Sequence, residues 1–306
     1  MRVFLTGASG LVGSNFAEAA ARRGHEVAGV VGRWDGGELP GVRRLLRIDL
    51  RDAAAVAAST LSEFPDAIVN AAAVSSPALC DDDPDGSDRV NVRLPEQLAQ
   101  LANHLSARFV HVSSEQVFDG TRAPYGHADP PAPLHLYARQ KVESERLVHV
   151  AAPEFAVTVR APLLMGNSPG GHRSVHERLF LDWAAGRVAS LYADEIHQPC
   201  LADNLAEVLL ELCERCDLLG VYHWGGAQAA SRHELGLAIA RYFKVPEKLV
   251  AAVRLAGTTA AANRPADLRL DLHPLVDRLK TRPEAIGEQL ERLNVPPAAR
   301  AWWHAL

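Results

Sequence analysis

The chain has 306 residues, 48% of them hydrophobic and 23% charged, with a formal net charge of −5. That composition is globular and long enough for one large core or two coupled lobes. It excludes the clustered basic surface that nucleic acid or an anionic membrane would need.

In chain order, Val3–Thr6 reads as a buried strand and Leu11–Arg23 as a helix ended by Gly24. Strands follow at His25–Val31 and Leu45–Ile48, then a helix at Ala53–Glu63 and a strand at Ala67–Asn70. The acidic run Asp81–Asp83, with Pro84 and Asp85, reads as a solvated loop. Val90–His104 is a predicted helix, Phe109–Ser113 a strand, Leu136–Val150 a helix and Ala156–Arg160 a strand. Continuous Val/Ile/Leu strands alternating with amphipathic helices predict a parallel sheet covered on both faces, with right-handed crossovers.

After Arg160 the rhythm changes, and Pro, Gly and His crowd Asn167–Arg173. A helix (Val175–Ala185), Leu191–Tyr192, a helix from near Asp203 and a short strand (Val221–Trp224) follow. The next helix, Ser231–Phe243, takes Ser231 as its N-cap. Cys213 and Cys216 fall inside the helical pattern Leu205–Leu219 and read as two half-buried helix thiols, not a zinc or redox pair. Four cysteines make no disulfide framework, so a reducing cytoplasm is the expected compartment. Met1–Leu5 runs straight into a glycine turn, so no secretory leader is expected, and no apolar stretch is long enough to span a bilayer. His172 and His176 are spaced for one helical face, but no third ligand completes a site, and no metal is expected.

The first strand leads into Gly7-Ala8-Ser9-Gly10-Leu11-Val12-Gly13 and then a helix. Gly7 permits the tight turn, Gly10 lets backbone approach a pyrophosphate, and Gly13 lets the helix pack on the sheet. The N–H groups of the first helical turn, at Leu11, Val12 and Gly13, then face the phosphate with the positive end of the helix dipole. This is a dinucleotide cradle, and the expected fold is α/β, a doubly wound parallel sheet of Rossmann type. The second strand ends at Val31-Gly32-Arg33. An acidic residue there would bind a ribose 2′-hydroxyl, whereas the Arg33 guanidinium suits a 2′-phosphate, so NADP(H) is favoured over NAD(H). Ala71, Ala72 and Ala73 follow the fourth strand, where small side chains let the cofactor lie against backbone.

Tyr137 and Lys141 stand i, i+4 on a predicted helix and share one face. A nearby ammonium is expected to lower the phenol pKa, so that Tyr137 can protonate a carbonyl oxygen receiving hydride while Lys141 also holds the nicotinamide ribose. Ser114, at the carboxyl edge of the fifth strand, is placed to hydrogen-bond the same oxygen. Ser113 is expected to cap or pack the strand end.

With these motifs the chain resembles the extended short-chain dehydrogenase/reductases, in particular the dTDP-4-dehydrorhamnose reductase-like group, which also includes the regulatory β subunit of methionine adenosyltransferase. The resemblance covers nearly the whole chain. It includes Val90-Asn91, Arg160, Asp203, Val221-Tyr222-His223 and the stretch Arg264-Pro265-Ala266-Asp267-Leu268-Arg269-Leu270-Asp271. It implies that Asp49 and Leu50 contact adenine, that Ser114, Tyr137 and Lys141 are catalytic, and that Glu115, Leu163 and His197 face the substrate. Dehydrorhamnose reductases usually read Ser-Thr-Asp-Tyr where this chain has Ser113-Ser114-Glu115-Gln116. They often carry tryptophan at Leu163, and an Asp-Gln-Phe-Gly-x-Pro-Thr stretch replaces Asp194–Cys200. The cofactor end therefore matches well and the sugar end poorly.

A cytoplasmic, NAD(P)-dependent oxidoreductase is the expected function, reducing the carbonyl of a nucleotide-linked keto-sugar or a similar polyol-like compound, with a homodimer as its expected assembly. Residues 1–166 and 189–226 are assigned to the dinucleotide domain, and 167–188 with 227–306 to a smaller, discontinuous substrate lobe. Three alternatives stand beside it. A nucleotide-sugar epimerase would retain NAD internally. A dehydratase would need a base at the position of Gln116, and an amide cannot abstract a proton. The third reading is a non-catalytic, cofactor-binding regulatory subunit.

Overall fold

A computed structural model describes all residues, 1–306. The chain runs β1 (Arg2–Thr6), α1 (Leu11–Arg22), β2 (Glu26–Val31), β3 (Val42–Arg47), α2 (Ala53–Glu63) and β4 (Ala67–Asn70). Two short helices, α3 (Pro77–Asp82) and α4 (Pro84–Asp88), precede a π turn at Arg89–Arg93 that opens into α5 (Leu94–Leu105). Then come β5 (Arg108–Ser114), α6 (Leu136–Ala151), β6 (Ala156–Ala161), β7 (Leu164–Met165), α7 (Val175–Ala184), β8 (Ala189–Tyr192), β9 (Ile196–His197) and β10 (Cys200–Leu201). The last part holds α8 (Ala202–Glu214), β11 (Gly220–His223), β12 (Ala230–Ser231), α9 (Arg232–Tyr242), β13 (Val250–Val253) and short helical turns.

Seven parallel strands form the central sheet in the order β11-β6-β5-β4-β1-β2-β3. β4 is wholly buried in the middle of the sheet and β6 wholly buried inside the edge strand β11, whereas the half-exposed β3 closes the other edge. The strand order reverses between β1 and β4, which opens a crevice beyond their carboxyl ends. Thr6 pairs with Asn70 and Asn70 with His111, while β5 runs on to Ser114 opposite Ala161.

Each face of the sheet is sealed by its own apolar cluster. Phe16 of α1 joins Leu205 and Leu209 of α8 on one face; Leu98 of α5 and Val148 of α6 pack on Phe4, Ile68 and Phe109 on the other. Burying one such side chain contributes roughly 1.5–3 kcal/mol. A third cluster, around Phe180, Trp183, Ile239 and Phe243, lies between α7 and α9 and takes in Met165 and Leu201. Capping boxes start both helices, Ser174 with Glu177 and Ser231 with Glu234, the second as expected.

Three local expectations are corrected. The acidic run is exposed but helical: Ser76 caps α3 and Asp83 caps α4, each followed by proline at the first helical position. The helix α8 ends at Glu214, so Cys213 is buried in it and Cys216 is exposed beyond it. His172 precedes α7 and shares no helical face with His176, whose ring is buried between the Ser174 hydroxyl and the Asn294 carbonyl.

Candidate active site

The cradle is built from backbone. Gly7 has φ +74°, and a Cβ there would lie 2.8 Å from the Ala72 nitrogen and 2.9 Å from the Ala71 carbonyl. The turn after β1 and the chain leaving β4 thus meet without side chains between them. Gly10 caps α1 without a side chain, and the N–H groups of Leu11, Val12 and Gly13 have no acceptor within the chain. Ala72 is buried and Ala73 exposed.

Beside the cradle, Gly32, Arg33, Arg47, Asp49, Leu50 and Arg51 line part of a cavity of about 440 Å³. Arg51 grips Asp49 at 2.7 Å and, chiefly through that hydrogen bond, holds its carboxyl down at about 2. Arg47 donates to the Trp34 carbonyl. Arg33 is exposed and makes no ion pair, which leaves one guanidinium free at this end. Backbone cradle, free helix N–H groups and free arginine fit a dinucleotide carrying a further phosphate.

Tyr137 and Lys141 occupy the first turns of α6, both buried, and Lys141 Nζ donates to the Val112 carbonyl at 2.7 Å. The lysine is thereby fixed to β5, the strand that ends in Ser114. Ser114 Oγ accepts the Gln116 N–H at 3.2 Å. One electrostatic expectation is overturned. Burial pushes the Tyr137 phenol up to about 12, and a hydrogen bond with Ser114 only partly opposes it. Burial also brings Lys141 down to about 8, against the pull of Glu145.

His135, Glu145 and Tyr125 were not singled out from sequence. His135 caps α6: its Nδ1 accepts the Ala138 N–H at 3.2 Å, so Nε2 carries the proton and donates to Gln116 Oε1 at 2.8 Å. Its ring lies nearly parallel to Tyr137 at 6.1 Å. The clue was a histidine immediately before the helix, at a capping position. Ser113 donates to Glu145 at 2.5 Å, and Glu145 pairs with Arg160 at 2.8 Å, both buried, so the strand end is anchored to α6 and β6. Arg160 also donates to His223 Nε2, whose other nitrogen faces the Tyr125 and Asp271 carbonyls.

Glu115 and His197 come together: Glu115 Oε1 lies 2.6 Å from His197 Nδ1, with both side chains buried. The far ring nitrogen meets Glu195 at 2.9 Å, and Glu195 is also bound by Arg232 at 3.1 Å and Arg264 at 2.6 Å. Burial opposes the Glu195 charge, but His197 and the two arginines prevail and hold its pKa at about 2. The C-terminal stretch that holds Arg264 bridges to Tyr125 through Leu270 and to Ile196 through Asp267. Leu163 is half-buried and packs on the third apolar cluster.

The sequence matches the family described as RmlD substrate binding domain over residues 1–295. It is 32% identical over 251 residues to methionine adenosyltransferase 2 subunit beta of Xenopus tropicalis, covering 80% of this chain and 73% of that protein. It is 28% identical to the probable low-salt glycan biosynthesis reductase Agl14 of Haloferax volcanii, over 96% of this chain and 97% of that protein. The dTDP-4-dehydrorhamnose reductase of Bacillus anthracis, solved in complex with NADP, has the same fold, with a TM-score of 0.81, 22% identity and coverage of 95% and 97%.

Proposed function

The chain belongs to the RmlD substrate-binding-domain family of extended short-chain dehydrogenase/reductases, and from that premise we propose that it is an NADPH-dependent reductase acting on the carbonyl of a nucleotide-linked keto-sugar or a similar polyol-like compound. The observation that carries the reading is the convergence of Ser114, Tyr137 and Lys141 at the carboxyl edge of a sheet whose first turn is a backbone cradle. Leu11, Val12 and Gly13 bind the pyrophosphate, Arg33 the 2′-phosphate, and Asp49 and Leu50 flank the adenine. NADPH, when bound, supplies the hydride. Tyr137, protonated at neutral pH, gives its proton to the oxygen that becomes the alcohol. Ser114 orients that oxygen, and Lys141 holds the ribose hydroxyls and supplies positive charge as the phenolate forms. Leu163 lies on the substrate side, while Glu115 and His197, enclosed and paired with each other, support that side from within. The substrate lobe is assigned to residues 167–188 and 227–306.

Gln116 speaks against dehydration, since its amide accepts the His135 proton and has no basic group to offer. A second reading, a non-catalytic subunit that binds the cofactor and regulates a partner enzyme, is favoured by the methionine adenosyltransferase β subunits among its relatives. The two are separated by following NADPH absorbance with a panel of nucleotide-linked keto-sugars. The reductase reading expects consumption with at least one of them. Absence of consumption, together with co-purification of a methionine adenosyltransferase, supports the regulatory one. A nicotinamide cofactor retained through purification would instead mark an epimerase.

A further inference from the structure

Ser114 is followed in the chain by a carboxylate that is almost wholly enclosed: Glu115 is 1% exposed. Its Oε1 meets His197 Nδ1, while Oε2 has no partner. On the other side of the ring, His197 Nε2 meets Glu195 Oε1. Carboxylate oxygens only accept, so an imidazole with one on each nitrogen is satisfied when both nitrogens carry hydrogen. We propose that His197 is a standing imidazolium and a positioning residue: it pins Glu115, and with it the turn that sets the Ser114 hydroxyl, to the strand β9, which pairs with β12 of the substrate lobe. The role of Ser114 rests on the reductase reading above; the charge state of His197 does not.

The groups facing the ring are Glu115 from the turn after β5, Glu195 from its own segment and Arg232 from the start of α9, with Arg264 reaching Glu195 from the C-terminal stretch. Burial alone pulls the His197 pKa down, but Glu115 and then Glu195 outweigh it and Arg232, and the net shift is upward. A buried carboxylate with one bare oxygen is costly, and the charged hydrogen bond on its other oxygen keeps it in place. Two arginines share Glu195 with the imidazolium, whereas the imidazolium is the ion-pair partner of Glu115. The link spans 82 positions of sequence and joins segments that share no strand pairing.

The test uses the whole chain with 15N-labelled histidine rings, the His197 signals being identified by their loss in His197→Gln. Both ring nitrogens are expected to be protonated at pH 7.5, above the ordinary histidine pKa of about 6.5. Glu115→Gln, which keeps the volume, is expected to move the titration down by roughly one pH unit or more. The amide of Gln116, which donates to Ser114, is expected to exchange with solvent at least about ten-fold faster in His197→Gln, since freeing a pinned segment lowers its local opening free energy. A neutral ring at pH 7.5, an unmoved titration in Glu115→Gln, or unchanged Gln116 exchange would each overturn the proposal. With NADPH and dTDP-4-dehydrorhamnose as probe, kcat is expected to fall in His197→Gln while the NADPH dissociation constant stays constant, and wild-type kcat to fall as pH rises through the titration seen by NMR. If no tested ketone is reduced, the reductase reading fails, and the ring and exchange measurements still decide this one.

Discussion

A Cβ on Gly13 would sit 2.2 Å from the Gly7 carbonyl oxygen. The first turn of α1 is therefore held against the turn that follows β1, and this closeness brings the free N–H groups to one point. Gly13→Ala is expected to force the two apart, costing about 1–3 kcal/mol of stability as overpacking does and weakening NADPH binding. Thermal unfolding and calorimetric titration of the variant measure both. Unchanged values would mean that the cradle is not built on this contact.

Cofactor choice follows from the one arginine left unpaired. Arg51 is committed to Asp49 and Arg47 to a backbone carbonyl, so discrimination falls to Arg33. NADPH is expected to bind more tightly than NADH, and Arg33→Ala to narrow the gap by about ten- to a hundred-fold, the worth of one charged hydrogen bond to phosphate. Equal dissociation constants for the two cofactors in the unaltered chain would refute the assignment.

Three enclosed histidines are neutral at physiological pH. Burial depresses His111 well below its usual value, and takes His176 and His223 down to about 4. A base whose folded pKa lies below its unfolded one disfavours the proton in the folded state. The stability it contributes is complete above pH 6.5 and is lost as pH falls from there toward 4, by up to about 3 kcal/mol for His223 alone. His197 has the opposite sign, losing its contribution as pH rises through its raised pKa. Denaturation midpoints at pH 7 and pH 5 are expected to show the loss, and His223→Asn to reduce the pH dependence. A flat profile between those values would contradict the neutral, buried state.

What was legible in the sequence was local. The glycine spacing and the Tyr137/Lys141 pair each lie within one turn or one helix face, where spacing alone fixes geometry, and the β-α alternation fixed the sheet. What was not legible depends on contacts between distant segments. The ring of Glu115, His197, Glu195, Arg232 and Arg264 is assembled from four separate stretches, and no pattern within any one stretch announces it. The Tyr137 phenol misled for a related reason. Its pKa answers mainly to burial, which the sequence does not display, while the lysine four residues on is turned to Val112. Ser76-Pro77 and Asp83-Pro84 were readable as helix starts, but the acidic composition around them pointed to a loop.

The central claim, that Tyr137 protonates the reduced carbonyl, is tested most directly by the turnover of Tyr137→Phe beside the unaltered chain on a keto-sugar that the unaltered chain reduces. The phenylalanine ring fills the same buried space, so fold and NADPH affinity are expected to be unchanged. Turnover is expected to fall by about 10²–10⁴-fold, the usual worth of general acid catalysis. Lys141→Met is expected to fall further, because it also loses the ribose contact, and Ser114→Ala less, because it deletes one hydrogen bond. If Tyr137→Phe turned over at the rate of the unaltered chain, with NADPH bound equally well, the assignment of Tyr137 as proton donor would be wrong.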